Sequence, residues 1–345
     1  MQLKEKNKIT YLHFIMSVLV ILIHSINNET KFERFFSIDN GIGQFAVPLF
    51  FIISGFLFFR NVYTVRDSMM KLQRRIETLL MPFIWWNIIY YCIHLLIKPG
   101  SAMNLGLMLD AAFNYTYNPA FWFMYQLILL CVISPILVFI ESKNKFFRVV
   151  IFIVLSMLII FSIDIPYLNE DAMIYYYAGM LLSRFYNENK IKFISRRNFL
   201  ITLALSILIY MFNRLMLRAA FVDGRFMGAF IFSIVMVRLI FAFVIFYFID
   251  IIFSYKNIYK FMGNTFFLYA IHYAIVKAMI IVMKYFMYKF IPSNISIFNI
   301  DVYTLIECII FIISPIVCVI INYYLSAFLI KKIPKVYNAL TGNRR

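Results

Sequence analysis

The chain has 345 residues, of which 63% are hydrophobic and only 14% charged, and its mean hydropathy is +0.84. Soluble domains carry about 25% charged residues and are about half apolar, so this composition excludes a water-soluble globule and indicates an integral membrane protein. The net charge of +17 is dispersed over short connections, which makes it a topology signal, with attraction to anionic lipid as a side effect, and gives no nucleic-acid-binding face.

Apolar runs of about 20 residues are long enough to cross a bilayer as helices and too long for barrel strands. Ten are read: 9–26, 43–62, 78–97, 119–140, 147–163, 171–184, 198–215, 228–254, 264–288 and 301–330. The fold class expected is an all-α membrane protein, a single bundle of about ten transmembrane helices with no soluble domain appended to 1–345. The longest polar connections, near 98–118 and 184–197, are too short to fold alone. No convincing internal repeat is seen, which weakens a transporter built from inverted halves. Lys and Arg concentrate in alternate connections, beginning with Lys4, Lys6 and Lys8 and ending with Lys331, Lys332, Lys335, Arg344 and Arg345. The opposite set holds Lys31, Arg34, Lys98, Arg214, Arg218, Arg225, Lys284 and Lys289, and the imbalance predicts both termini in the cytoplasm. The first run starts basic, but no small-residue cleavage site follows His24, so it reads as a retained helix.

That first run carries His13 and His24. Eleven residues of helix turn them back to within about 20° of one another and about 16 Å apart in height, so they share one face. An intramembrane histidine is a functional candidate by default. His24 is either a packing residue bonded to a neighbouring carbonyl or a general base, since imidazole titrates near neutrality. In the second run, Ser54-Gly55 reads as a close helix approach or as a polar notch beside His24. Before the third, Lys71, Arg74 and Arg75 read as positive-inside anchors or as cations suited to the phosphates of a nucleotide-bearing donor such as coenzyme A. Trp85, Trp86 and Trp122 fall near run ends, where aromatic rings sit at the interface. Arg238, His272 and Glu307 lie inside later runs; Arg238 with Glu307 is an ion pair, or both line a water-filled tunnel, and His272 packs or lines that tunnel. Cys92, Cys131, Cys308 and Cys318 lack metal-ligand spacing and are expected to be buried. No metal is expected.

Taken in order, these segments resemble the acyltransferase-3 family of bacterial membrane proteins. The carriers are His24, the stretch Val47-Pro-Leu-Phe-Phe-Ile-Ile-Ser-Gly-Phe56, and Arg75-Ile-Glu-Thr-Leu-Leu-Met-Pro-Phe-Ile-Trp-Trp-Asn87. Ala120-Phe-Trp122-Phe-Met-Tyr125-Gln-Leu127 and Phe266-Phe-Leu-Tyr-Ala-Ile-His272 complete them. The resemblance implies a ten-helix bundle in the bacterial cytoplasmic (inner) membrane that takes an acyl group, usually acetyl, from cytoplasmic acyl-CoA. The group passes to a hydroxyl of a surface polysaccharide or lipid-linked glycan. It implies that His24 is the essential first-span histidine and that Arg74 and Arg75 lie near the coenzyme A entrance. Two departures matter. The family commonly places Arg or Lys where this chain has His13, and a second Arg where it has Thr78; His13 is not a permanent cation.

The expected function is therefore membrane O-acetyl transfer in polysaccharide or exopolysaccharide modification. His24 is catalytic, His13, Arg74 and Arg75 bind the coenzyme A donor, and Ser54, Trp122, Arg238, His272 and Glu307 are tunnel candidates. The chain would act alone or with glycan-synthesis partners. The alternative is a non-catalytic glycan exporter or flippase of the same family. A membrane sensing domain is a third reading, weakened because no soluble partner domain is seen.

Overall fold

The computed structural model describes residues 2–25, 41–98, 103–290, 296–297 and 300–343. Lys31, Arg34, Arg344 and Arg345, which entered the charge count, lie outside these residues.

Every apolar run read from the sequence coincides with a helix. They are α1 (Leu3–His24), α2 (Ala46–Phe59), α4 (Met81–Ile97), α6 (Trp122–Lys143), α7 (Phe147–Ile160), α8 (Glu170–Asn187), α9 (Arg196–Val222), α10 (Met227–Ile252), α11 (Thr265–Phe290) and α12 (Val302–Lys332). Three further helices were not foreseen: α3 (Val65–Arg75), α5 (Leu105–Asn114) and α13 (Pro334–Thr341). A two-residue antiparallel pair, Ser296–Ile297 with Ile300–Asp301, precedes α12. Among the described residues, eight helical segments are long and apolar enough to span a membrane. The two that fall short are α7, apolar but only 14 residues long, and α8, which carries Glu170, Asp171 and Arg184. The protein is an all-α, multi-pass membrane protein.

Helix starts follow local chemistry. Thr64 and Asp67 form a reciprocal capping box ahead of α3, and Asn104, Asn169 and Ser195 accept amide hydrogen bonds at the starts of α5, α8 and α9. Pro135 in α6 and Pro315 in α12 each remove a ladder donor. The preceding Ser134 and Ser314 turn their hydroxyls back onto Leu130 and Phe311 carbonyls. Between α3 and α4, Ile76–Leu80 widen into a π turn, so the basic stretch and the third apolar run form one bulged helix.

Backbone contacts divide the chain into two compact units. One comprises Met1–Ile9, Val47–Leu80 and Phe121–Lys256; the other comprises Thr10–Ala46, Met81–Ala120 and Asn257–Arg345. In the first, α2 and α8 touch backbone to backbone. A Cβ added at Gly55 would lie 2.2 Å from the Tyr176 carbonyl oxygen, and one at Gly179 2.1 Å from that of Ile52. The close approach expected of Ser54-Gly55 is present, and neither glycine tolerates a side chain. Also in this unit, Lys8 is fully buried, 2.9 Å from Asp250, donating to the Phe193 carbonyl, with its ammonium 3.8 Å from the Phe246 ring centre. Lys8 is therefore an internal ion-pair partner, not the solvent-facing topology charge it was counted as.

In the second unit, Ile21 of α1, Leu268 and Val276 of α11 and Cys318 of α12 form a buried cluster. The α13 helix closes one end, its Leu340 carbonyl accepting from the Trp86 indole at 2.9 Å. The cysteines divide: Cys131 and Cys318 are buried, Cys308 is half-buried and Cys92 is exposed. Expected burial fails at Cys92, whose face of α4 is uncovered by protein.

Candidate functional site

His24 is the last residue of α1, roughly 24 Å from Lys8 at the helical rise per residue. The turn beyond it is fixed by Ser25, whose hydroxyl bonds to the Ile21 carbonyl and lies 2.6 Å from Ser314 Oγ on α12. His24 is half-buried, and its ring packs on α11: 5.3 Å from the His272 ring and 5.5 Å, edge to face, from Tyr273.

His272 has no exposed surface. Its Nδ1 bonds to the Tyr269 carbonyl oxygen, so Nδ1 carries the proton and Nε2 is left as a bare lone pair. That Nε2 is buried and has no hydrogen-bond partner among the described residues. The Tyr269 hydroxyl donates to the Ala120 carbonyl, tying this turn of α11 to the segment before α6. From α4, the Tyr90 hydroxyl donates to the Ala270 carbonyl at 2.8 Å and accepts from the Ala274 amide at 3.3 Å. Tyr90 thus clasps the helical turn that presents His272 and Tyr273. One turn further, the Lys277 ammonium lies 5.4 Å from the Tyr273 ring centre.

Chemically, this is a pair of imidazoles held by helices that leave their rings little freedom. One ring is half-open, and the other is sealed and neutral with an unused acceptor. Such a pair takes a proton from a hydroxyl, or accepts a hydrogen bond that orients one.

The shared face of His13 and His24 holds, because both meet α11. His13 lines a cavity of about 150 Å³ with residues at the start of that helix, including Asn264, Thr265 and Phe267. Glu307, half-buried on α12, belongs to the same unit. Ser54, Arg74, Arg75, Trp122 and Arg238 belong to the other. There Arg74 is exposed and Arg75 half-buried in the last turn of α3, with the Thr78 hydroxyl on the Arg74 carbonyl at 2.9 Å. Trp122 faces Phe51 with ring centres 6.2 Å apart. Arg238 has an ion-pair partner the sequence reading missed, Asp171 at 3.7 Å.

Tyr90 and Tyr273 also escaped the sequence reading. With 24 tyrosines in the chain, nothing local distinguishes the two that touch the site. Tyr273 adjoins His272, and that adjacency was the available signal.

Residues 6–324 match the acyltransferase-3 family, described as an acyltransferase domain. No curated protein and no solved structure matches the chain. The matched stretch takes in the histidine pair, the π turn and all the helices that hold them, so the chain belongs to the acyltransferase-3 family of membrane acyltransferases.

Proposed function

We propose that this protein is an O-acyltransferase of the bacterial cytoplasmic membrane. It moves an acetyl group from cytoplasmic acetyl-CoA to a hydroxyl of a surface polysaccharide or lipid-linked glycan. His24 is the general base that takes the proton of the acceptor hydroxyl, and His272 Nε2 is the neutral acceptor that orients the reacting group beside it. Arg74 and Arg75 hold phosphates of coenzyme A, and His13, where the family commonly has a permanent cation, is a separate candidate for donor binding. Ser54, Trp122 and Arg238 in their unit, and Glu307 in its own, are candidate substrate contacts.

One observation carries this reading: a sealed imidazole lone pair with no partner among the described residues, against the ring of His24. Buried polar atoms are nearly always bonded, so an orphan kept at a cost of about 1–3 kcal/mol points to a ligand that completes it.

The test is full-length protein in nanodiscs with acetyl-CoA and a glycan acceptor, following free coenzyme A thiol. Acceptor-dependent thiol release is expected, and His24→Ala is expected to lower it by at least about 10²-fold without changing protein yield. Undiminished release by His24→Ala rejects the assignment of His24. Glycan translocation without any thiol release makes the protein an exporter.

A further inference from the structure

Hydrocarbon tolerates a charged side chain poorly, so a cation inside a membrane span is expected to have a charge partner. Lys8 has Asp250 at 2.9 Å, and Arg238 has Asp171 at 3.7 Å. Lys277 is built differently. It lies deep in the spanning segment Thr265–Phe286. At the helical rise it is about 18 Å from Thr265 and about 14 Å from Phe286, further than a lysine stem reaches to bring its ammonium to either interface. Lys284, close to the end of that segment, needs no more than an interfacial anchoring role. Among the described residues no carboxylate pairs with Lys277, which is exposed and rests its ammonium 5.4 Å from the Tyr273 ring centre. A ring face offsets only part of what an ammonium loses on leaving water.

Tyr273 joins this cation to the histidine pair. The same ring meets His24 edge to face at 5.5 Å, so one aromatic ring separates imidazole from ammonium. Along α11 the order is His13 at the first turn, His24 against His272 and Tyr273, and Lys277 one turn further. Lys277 is thus beyond the histidine pair, away from the His13 end that is the candidate for donor binding. The substrate met on that side is the acceptor. The charge of Lys277 calls for an anion, and its depth excludes a neighbouring phospholipid headgroup, which stays at the interface. A hydroxyl at His24 and an anionic group at Lys277 are close enough to belong to one sugar or to adjacent sugars.

We infer that Lys277 binds the acceptor, its ammonium pairing with a negative group on the glycan whose hydroxyl is presented to His24. The inference rests on the acyl-transfer reading above and adds that the acceptor is acidic. A carboxylate of an acidic sugar and a phosphate ester of the glycan share the required chemistry. Either supplies the charge partner that a membrane-embedded ammonium requires.

The probes are oligosaccharides cut from the surface glycan of the source cells, used untreated, after carboxyl reduction, and after dephosphorylation. Full-length protein in phosphatidylcholine nanodiscs is titrated with each by calorimetry, and thiol release from acetyl-CoA is followed on the same preparations. Wild type is expected to bind the untreated probe about tenfold more tightly than at least one treated probe, and the treatment that weakens binding names the anion. Lys277→Met and Lys277→Gln are expected to bind all three alike, about tenfold more weakly than wild type binds the untreated one, and Lys277→Arg to keep the preference. In thiol release the two neutral variants are expected to raise the acceptor KM about tenfold, with kcat and the KM for acetyl-CoA unchanged. Should Lys277→Met fail to fold, Lys277→Gln carries the same comparison. If wild type shows the charge preference in binding but releases no thiol, the anion site stands and the acyl-transfer reading fails. A wild type that binds no probe, or binds all three equally, overturns the inference, as do neutral variants that keep the preference. A fall in kcat at unchanged acceptor KM also overturns it, because that marks a contact made only in the transition state.

Discussion

Two polar clusters, one in each unit, are built on opposite rules. Around Arg184 the charges are saturated. Its guanidinium Nε lies 2.9 and 2.8 Å from the two Glu141 carboxylate oxygens, and its Nη1 donates to the Phe59 and Val62 carbonyls. Arg148 bridges onward, 2.6 Å from Glu141 and 2.8 Å from Glu188, and Glu188 also meets Lys190 at 2.7 Å. At His24 and His272 the polar atoms are fewer, uncharged in His272, and incompletely bonded. The first arrangement spends its bonding capacity on holding helices together. The second withholds it. Desolvated charges are tolerable only when paired, whereas a neutral imidazole survives unpaired at modest cost.

The sharpest way to break that contrast is His272→Phe, which keeps an aromatic ring there without nitrogen. Its loss relieves the unbonded Nε2 and gives up the Nδ1 bond to the Tyr269 carbonyl, effects of similar size, so stability is expected to change by no more than about 1 kcal/mol. Turnover is expected to fall about 10²-fold or more. Thermal unfolding and thiol release on one preparation read both numbers. Clear destabilisation with activity kept would make His272 a packing residue and dissolve the distinction.

The converse experiment is Glu141→Gln. It leaves the buried Arg184 guanidinium facing a neutral amide, and one-sided breaking of a buried pair costs about 3–5 kcal/mol. The expected result is a lower melting temperature and less protein, with activity per folded molecule unchanged. A variant that folds normally but turns over slowly would place this cluster in the catalytic path.

How much of this was legible depends on how local each signal is. The ten helices follow from hydropathy, a property of consecutive residues, and Ser54-Gly55 announced its close contact because only small residues allow one. The helices that escaped, α3, α5 and α13, are short and partly polar, so no apolar run marked them. Of the site, His24 and His272 could each be named, but not their pairing: they lie on α1 and α11, far apart in sequence. The same blindness hid Asp250 from Lys8 and Asp171 from Arg238. Counting Lys8 by its position near the N-terminus assigned it to solvent, when a carboxylate over 200 residues away had drawn it inside.

The smallest expected effect concerns Glu188, at the rim of the saturated cluster and just beyond the end of α8. Its hydrogen bonds, from Lys190 first and then Arg148, hold its carboxyl at about 2 instead of the ordinary 4.5. A carboxyl depressed in the folded state stabilises that state fully above its ordinary value and loses the contribution as pH falls through the lowered one. The group is close to solvent, where screened pairs contribute about 0–1 kcal/mol, so the gain is expected to stay within that range. Melting temperatures of wild type and Glu188→Gln are therefore expected to differ by a constant small amount from pH 7 to about 5, and to converge as pH drops toward 2. The Arg184–Glu141 pair, more deeply buried, is not relieved by losing Glu188, so the fold is expected to persist after convergence. A gap independent of pH would show that Glu188 acts through packing, and that the saturated cluster ends at Arg148.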